Sequence, residues 1–157
     1  MRIELTINGA LRSLDVEPGE LLLEVLRRAG YRGVKFGCGE GDCGACTVLL
    51  DGQPVNSCLV LAARVAGHEV TTIEGLGTVH HPNPLQRAYA EEGAVQCGYC
   101  IPGSILSSHA LLERNPDPSD EDILEALDGN LCRCTGYAKK LVAIRRAARE
   151  LKEGGDE

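Results

Sequence analysis

The chain has 157 residues, which is enough for one ordinary domain or for two small ones. Its net charge of -7 makes a nucleic-acid partner unexpected, because contacts with phosphate require a basic surface. Only 3% of the residues are aromatic, so the hydrophobic core is modest, and the eight cysteines are candidates for additional stabilisation.

The N-terminus carries no long apolar segment followed by a small-residue cleavage site, so no secretory signal is predicted. No stretch of the sequence reaches the length of a membrane span. We therefore expect a cytoplasmic protein, while export in the folded state together with a partner subunit stays open. In a reducing compartment, eight structural disulfide cysteines are not expected.

Alternating apolar residues in the first half of the chain predict strands. Residues 3–7 alternate, Asn8-Gly9 is a strong hairpin signal, and the alternation then resumes. Apolar residues at helical spacing predict a helix over residues 22–29. A second hairpin is predicted over residues 47–56 and a short strand over residues 70–73, so this half is expected to be an α+β domain.

The second half of the chain carries helix signals and no strand signal. Asn83-Pro84 predicts an N-cap followed by proline at the first helical position, and Ser119 with Asp122 resembles a capping box. Four helices are predicted, over residues 84–92, 102–114, 120–129 and 137–152. The basic residues of the last helix are interpreted as a solvated face, namely Lys139, Lys140, Arg145, Arg146, Arg149 and Lys152. An acidic tail follows Gly154-Gly155.

Four cysteines in the first half have the spacing of a plant-type 2Fe–2S site. Cys38, Cys43 and Cys46 follow the pattern C-x4-C-x2-C, and Cys58 is the more distant fourth ligand. Glycines alternate with the ligands in residues 37–46, and they allow backbone N–H groups to approach the cluster closely. We therefore predict a 2Fe–2S cluster at this site, for which zinc is a weak alternative.

The other four cysteines, Cys97, Cys100, Cys132 and Cys134, form a second set of two closely spaced pairs. Each pair precedes a predicted helix, and the free N–H groups and partial positive charge of a helix N-terminus suit an anionic cluster. Paired short cysteine spacings also occur in structural zinc sites. Spacing alone leaves both interpretations open for this set, and it favours a 2Fe–2S cluster over zinc.

Four segments of the sequence resemble, in order, those of the small iron–sulfur subunits of molybdenum hydroxylases, the family of xanthine dehydrogenase, carbon monoxide dehydrogenase and aldehyde oxidoreductase. Residues 36–48 resemble its first cluster loop, with the sequence FGCGEGDCGACTV, and residues 55–58, VNSC, resemble its fourth ligand. Residues 96–103, QCGYCIPG, and residues 129–137, GNLCRCTGY, resemble the two halves of its second site. The resemblance extends over nearly the whole chain and favours two 2Fe–2S clusters.

The resemblance also implies a fold. This is an α+β chain in which an N-terminal β-grasp, ferredoxin-like 2Fe–2S domain is followed by an all-α four-helix-bundle 2Fe–2S domain. We expect these domains to comprise residues 1–76 and residues 77–157, the second ending in the acidic tail.

The function implied by the resemblance is that of the iron–sulfur electron-transfer subunit of a molybdenum hydroxylase. The expected partners are a large subunit that binds molybdopterin with Mo and a medium subunit that binds FAD, assembled as a dimer of heterotrimers. In this family the helical-domain cluster lies nearer molybdenum and the ferredoxin-like cluster nearer flavin. Gln96 is expected to contact the pterin cofactor, and Cys134, also a cluster ligand, to approach it most closely.

No nucleophile–base arrangement and no phosphate-binding loop is found in the sequence, so neither a catalytic residue nor a substrate site is expected in this chain. Two other function classes stay open: a free-standing two-cluster redox carrier and a zinc-binding scaffold. Iron, acid-labile sulfide and zinc contents separate the scaffold from the redox proteins. Co-purification with larger subunits separates the carrier from the subunit.

Overall fold

The protein, represented by a computed structural model that describes residues 1–154, has its strands in the first half of the chain and most of its helices in the second. The strands are β1 (Arg2–Ile7), β2 (Ala10–Asp15), β3 (Thr47–Leu50), β4 (Gln53–Asn56) and β5 (Glu69–Thr71). The α-helices are α1 (Leu22–Arg28), α2 (Ile73–Leu76), α3 (Pro84–Glu91), α4 (Ile101–Arg114), α5 (Asp120–Leu127) and α6 (Ala138–Glu153). The architecture is therefore mixed α and β. The predicted acidic tail, residues 155–157, lies outside the described residues.

The two predicted hairpins are confirmed. The chain turns between β1 and β2 at Asn8-Gly9, where φ is 51° and 75°, and between β3 and β4 at Asp51-Gly52, where φ is 49° and 79°. These are the left-handed values that a two-residue type I′ turn requires and that Asn, Asp and Gly adopt most readily. The strand order is β2-β1-β5-β3-β4, in which β1 and β5 are parallel and the other neighbours are antiparallel.

The sheet and α1 enclose the first hydrophobic core. Alternate residues of β1 are buried in it, and α1 contributes an apolar face that includes Leu22 and Leu26, both fully buried. Cys46 and Cys58 belong to the same core. Full burial of one large aliphatic side chain contributes about 1.5–3 kcal/mol, so this core fixes the positions of both cysteines.

The four helices that follow residue 83 share a second core. Two of them begin as predicted: Leu85 N–H donates to Asn83 Oδ1 at 2.9 Å, and Asp122 N–H donates to Ser119 Oγ at 3.2 Å. Helix α3 packs against α4 and α6, and α5 packs against the same two helices. No strand is present in residues 77–154, in agreement with the prediction. No helix of the described part is long and apolar enough to cross a membrane.

The late strand predicted over residues 70–73 is wrong at its C-terminal end, because β5 ends at Thr71 and Ile73 begins α2. A pair of hydrogen bonds to the first hairpin turn explains the difference. Asn8 Nδ2 donates to Thr72 Oγ1 at 3.0 Å, and Thr72 N–H donates to Asn8 Oδ1 at 2.8 Å. These bonds give the hydroxyl and the backbone N–H of Thr72 partners outside the sheet, so the chain can leave β5 and begin α2.

Candidate metal centres

The first candidate centre lies in the loop between α1 and β3. Its Cys38 and Cys43 are partly exposed, whereas Cys46 and Cys58 are buried with 3% and 4% of their surface exposed. Cys58 lies in a short 3-10 turn, Ser57–Leu59, directly after β4. Ser57 Oγ donates to the Cys46 carbonyl at 2.7 Å, which attaches this turn to the loop. The hairpin of β3 and β4 therefore brings the distant fourth cysteine beside the other three.

The backbone of this loop supplies hydrogen-bond donors to the sulfur atoms. Glu40 N–H donates to Cys38 Sγ and Cys38 N–H donates to Cys43 Sγ, each at 3.4 Å. The Glu40 and Cys43 N–H groups lower the pKa of the Cys38 thiol to about 6. Space is tight, because a Cβ atom at Gly37 would lie 2.5 Å from Cys43 Sγ. The loop is thus shaped to surround a thiolate-bound group closely.

The four thiols of this first site lie in two environments. Cys38 and Cys43 are partly exposed, and the Cys38 N–H group donates to Cys43 Sγ. Cys46 and Cys58 are buried in the first core, where burial, and then the neighbouring Cys46 thiol, raise the pKa of Cys58 to about 11. A buried thiolate needs a cation beside it. These four thiols would suit a binuclear iron cluster.

The second candidate centre lies between the N-termini of α4 and α6. Cys100 is the N-cap residue of α4, and Cys132 and Cys134 lie in the loop that leads into α6. Cys97 and Cys134 are exposed, whereas Cys100 and Cys132 are partly buried. The prediction that each cysteine pair precedes a helix is therefore confirmed.

The pKa values of the second-site thiols reflect their surroundings. At the two exposed thiols, Tyr99 N–H, and then the Cys134 thiol, lower the pKa of Cys97, while the neighbouring Cys97 thiol raises the pKa of Cys134. At the two partly buried thiols, burial raises the pKa of Cys100. Burial opposes ionisation of Cys132 as well, but hydrogen bonds from Thr135, the Cys134 backbone and Cys100 lower its pKa to about 6.

All eight cysteines are free thiols, so a disulfide framework is not present. Within residues 1–154, no group of three or more Cys, His, Asp or Glu side chains is arranged to hold a single metal ion. Each site offers four cysteine thiols, which is the ligand set of a 2Fe–2S cluster.

Lys140 is a residue of the second site that the sequence interpretation missed. It was placed on a solvated helix face, but it is 0% exposed, and this part of the interpretation is wrong. Its Nζ atom lies 3.4 Å from Cys100 Sγ and 2.8 Å from Ser104 Oγ. The signal was present in the sequence, because Lys140 precedes Ile144 by one helical turn and therefore lies on the apolar face of α6.

Gln96 lies in the loop before Cys97, and its side chain is exposed. It adjoins the exposed thiol pair of the second site, Cys97 with Cys134. The structure thus places the two residues expected to approach a pterin, Gln96 and Cys134, on the surface and near the same cysteine.

The two candidate centres are joined through their loops. Leu131 N–H, next to Cys132, donates to the Cys43 carbonyl at 3.0 Å. Tyr99 OH donates to the Phe36 carbonyl across the same boundary. The connection between the sites therefore consists of one backbone hydrogen bond and one from a side-chain hydroxyl, and each donor residue is next to a proposed ligand of the second set.

Comparisons with known proteins agree with this geometry. The 2Fe-2S iron-sulfur cluster binding domain matches residues 5–71, and the 2Fe-2S binding domain matches residues 72–145. The chain is 51% identical over 146 residues to the nicotinate dehydrogenase small FeS subunit of Eubacterium barkeri, covering 92% of this chain and 93% of that one. It is 49% identical over 150 residues to the isoquinoline 1-oxidoreductase subunit alpha of Brevundimonas diminuta, covering 94% and 98%.

Solved structures are similar over almost the whole chain. Quinoline 2-oxidoreductase from Pseudomonas putida 86 gives a TM-score of 0.93 at 42% identity, covering 98% of this chain and 97% of that chain. The aldehyde oxidoreductase of Desulfovibrio desulfuricans ATCC 27774 gives a TM-score of 0.94 at 46% identity, and the match covers 97% of this chain but 17% of that longer one.

The fold and the two cysteine sites define a protein with two 2Fe–2S binding domains in tandem. The chain belongs to the family of small iron–sulfur subunits of molybdenum hydroxylases. It is accordingly an electron-transfer subunit of an oxidoreductase. The free-standing carrier is not favoured, because the relatives are named as subunits of larger enzymes.

Proposed function

We propose that this chain transfers electrons between a molybdopterin site in a large subunit and FAD in a medium subunit of a molybdenum hydroxylase. One observation carries the proposal: eight cysteines form two four-thiol sites whose loops are joined by the hydrogen bond from Leu131 to Cys43. When bound, the two clusters supply one-electron redox chemistry, and the protein supplies their placement and surroundings.

The proposed ligands are four cysteines for each cluster. The first set is Cys38, Cys43, Cys46 and Cys58, and the second is Cys97, Cys100, Cys132 and Cys134. Two features support the fit of these cysteines to a cluster. The thiols of each site lie beside one another, and the N–H groups of Cys38 and Glu40 donate to sulfur atoms of the first site. The absence of a side chain at Gly37 leaves room beside Cys43.

The domain division that we propose places a β-grasp, ferredoxin-like domain in residues 1–76 and a four-helix bundle in residues 77–157. The five-stranded sheet with α1 packed on it supports the first assignment. The closed ring of contacts among α3, α4, α5 and α6, together with their separate core, supports the second.

Gln96 and Cys134 are proposed to form the surface that approaches the pterin of the large subunit. Both are exposed, and Gln96 offers a neutral amide that can donate and accept hydrogen bonds. In this arrangement the second site receives electrons and the first passes them toward FAD. The proposed assembly is a dimer of heterotrimers, and a cytoplasmic location is supported by eight unpaired thiols.

Metal analysis of the purified complex tests the cluster assignment. We expect about four iron and about four acid-labile sulfide per copy of this chain, from two atoms of each per cluster. The same sample should contain the two larger subunits, with molybdenum and FAD. Stoichiometric zinc without visible charge-transfer absorption would refute the redox function, and isolation of the fully loaded chain alone would favour the free carrier.

Single cysteine variants test the division into two ligand sets. Cys43→Ser should abolish the first cluster and leave the second assembled, and Cys100→Ser should do the reverse, because the two sets lie in separate halves of the chain. Low-temperature EPR of the reduced protein measures the amount of each assembled cluster. Loss of both signals from Cys43→Ser in folded protein would contradict the two-domain assignment.

A further inference from the structure

The ammonium group of Lys140 is enclosed by the second site. Lys140 is 0% exposed, its Nζ atom lies 2.8 Å from Ser104 Oγ and 3.4 Å from Cys100 Sγ, and the Tyr137 ring centroid is 5.4 Å away. In residues 1–154 it forms no salt bridge with a carboxylate. A buried cation of this kind is costly unless an anion compensates it.

The negative charge that faces Lys140 comes from the second ligand set. Its Nζ atom lies 3.4 Å from the sulfur of Cys100, which together with Cys132 forms the partly buried side of the site. The outer pair, Cys97 and Cys134, is exposed. Lys140 therefore adjoins one side of the site, whereas water and partner subunits reach the other.

We propose that Lys140 is a fixed positive charge that raises the reduction potential of the cluster that Cys97, Cys100, Cys132 and Cys134 would hold. This inference rests on the proposed function, because it requires these cysteines as ligands. Reduction of that cluster would add one electron, and therefore one negative charge, near the ammonium. No bond is formed or broken.

Two physical effects act in the same direction. Attraction between the ammonium and the added charge favours the reduced state, and burial protects this attraction from screening by salt. A hydrogen bond to a cluster sulfur also changes the reduction potential, and the Nζ atom lies within such a distance of Cys100 Sγ. The first effect depends on the charge of Lys140 and the second on its N–H donor, and neither depends on the volume of its side chain.

A purely structural role leads to the opposite expectation. Lys140 lies on the apolar face of α6 with Ala143, Ile144 and Ala147, where a methionine of similar length would pack without burying a charge. If Lys140 only filled space, Lys140→Met would leave the potential unchanged and would stabilise the helices. If the charge is used, the same substitution must shift the potential.

The test is a redox titration of the complete complex, followed by EPR, for wild type, Lys140→Met, Lys140→Gln and Lys139→Met. The two cluster signals are assigned with the cysteine variants described above. Lys139 is the matched control, because it is adjacent and exposed, and its substitution removes the same charge. Lys140→Gln keeps a neutral N–H donor in place of the ammonium.

At the wild-type midpoint potential of the second cluster, we expect Lys140→Met to lower the ratio of reduced to oxidised cluster at least about tenfold. This corresponds to about 59 mV for a one-electron couple. Lys140→Gln should give a smaller shift in the same direction. Lys139→Met, and the first cluster in every variant, should stay within about twofold of wild type, because an exposed charge is screened by water and salt.

Unchanged potentials in both Lys140 variants with two assembled clusters would overturn the inference while leaving the proposed function intact. Equal shifts in Lys139→Met and Lys140→Met would also overturn it, since a general charge effect would then suffice. Loss of the second cluster in both Lys140 variants would overturn it in favour of a role in assembly. Absence of that cluster from the wild-type complex would instead refute the proposed function.

Discussion

The cysteines of the two sites differ in their access to solvent. In the first site, Cys46 and Cys58 are part of the hydrophobic core, so this ligand pair is anchored from within the sheet domain. In the second site, Cys97 and Cys134 are exposed. An exposed pair of ligands shortens the distance to a cofactor on another subunit, and this asymmetry agrees with a pterin partner on the side of the second site.

Gly37 offers a test of the first site at the scale of one atom. Gly37→Ala would place a Cβ atom 2.5 Å from Cys43 Sγ, and a sulfur bound to iron cannot move away freely. We expect the occupancy of the first cluster to fall several-fold while the second keeps full occupancy, as measured by EPR spin counting. Gly19→Ala is the control, because no atom lies within 4 Å of the added Cβ. Full occupancy of both clusters in Gly37→Ala would show that the loop is looser than the structure indicates.

Gln96 tests the surface proposed to approach the pterin. Because its side chain is exposed, Gln96→Ala should not change the thermal stability of the chain or the content of either cluster. We expect slower reduction of the second cluster by substrate in the complete complex, or reduced pterin occupancy, as measured by rapid-mixing spectroscopy and cofactor analysis. Gln53→Ala, at an exposed position on β4, is the control. Wild-type reduction rates and pterin content in Gln96→Ala would remove Gln96 from the site.

At the scale of elements, α6 has two different charged faces. Lys140 faces inward to the second site, and Arg146 lies in the middle of the helix among carboxylates of α6 and of the C-terminal end of α3. Arg146 donates to Glu92 at 2.9 Å and to Glu150 at 3.0 Å, and it also contacts Glu91. The basic residues of α6 therefore do not form a single solvated face. Lys140 lies at the second site, and Arg146 links α6 to α3.

The Arg146 network predicts a measurable contribution to stability. Arg146→Met removes three partly exposed ion pairs and should lower the thermal midpoint by about 2–4 °C. Arg145→Met is the matched control, since its partner Asp120 is about half exposed, and it should have little effect. Equal midpoints for Arg146→Met and wild type at neutral pH would contradict the prediction.

The pH dependence of the same network follows from Glu150. Arg87, and then Arg146, lower the pKa of Glu150 in the folded chain. A lowered folded-state pKa means that the stabilisation is present above the ordinary glutamate pKa and is lost as the pH falls through the lowered value. The difference in thermal midpoint between wild type and Arg146→Met should therefore narrow as the solution is acidified.

Local signals in the sequence predicted most helices and strands. The features that the sequence did not predict depend on contacts between residues far apart in the chain. The Asn8-Gly9 turn and the Asn83 and Ser119 caps depend on neighbouring residues, so the sequence contains the whole signal. The start of α2 depends on the bonds between Thr72 and Asn8, which are 64 residues apart. The burial of Lys140 could be predicted from its place on the apolar face of α6. Its contact with Cys100 and Ser104 depends on α4, and a local pattern cannot show this contact.

At the scale of the whole molecule, the two halves meet through close backbone contacts as well as through side chains such as Leu49 and Leu106, which share a small core. A Cβ atom at Gly103 of α4 would lie 2.2 Å from the Gly44 carbonyl oxygen in the first cluster loop. Asn130 Nδ2 donates to Ser107 Oγ at 2.9 Å, and Asn130 Oδ1 is buried without a hydrogen-bond partner in the described part of the chain. The hydrogen bond from Leu131 to Cys43 lies at the same boundary, so the packing of the two halves there sets the distance between the two sites.

Gly103→Ala tests whether this close contact is needed for electron transfer between the sites. Alanine is the better helix former, so the substitution alone would favour α4. The added methyl group must nevertheless displace the Gly44 carbonyl, which belongs to backbone and cannot rotate away. We expect both clusters to assemble but the loops to separate, with slower transfer from the second cluster to the first and a weaker magnetic interaction between the reduced clusters. Rapid freeze-quench EPR measures both, with Gly19→Ala as control. If Gly103→Ala transferred electrons at the wild-type rate with an unchanged magnetic interaction, the close packing of the two loops would not determine the coupling of the sites.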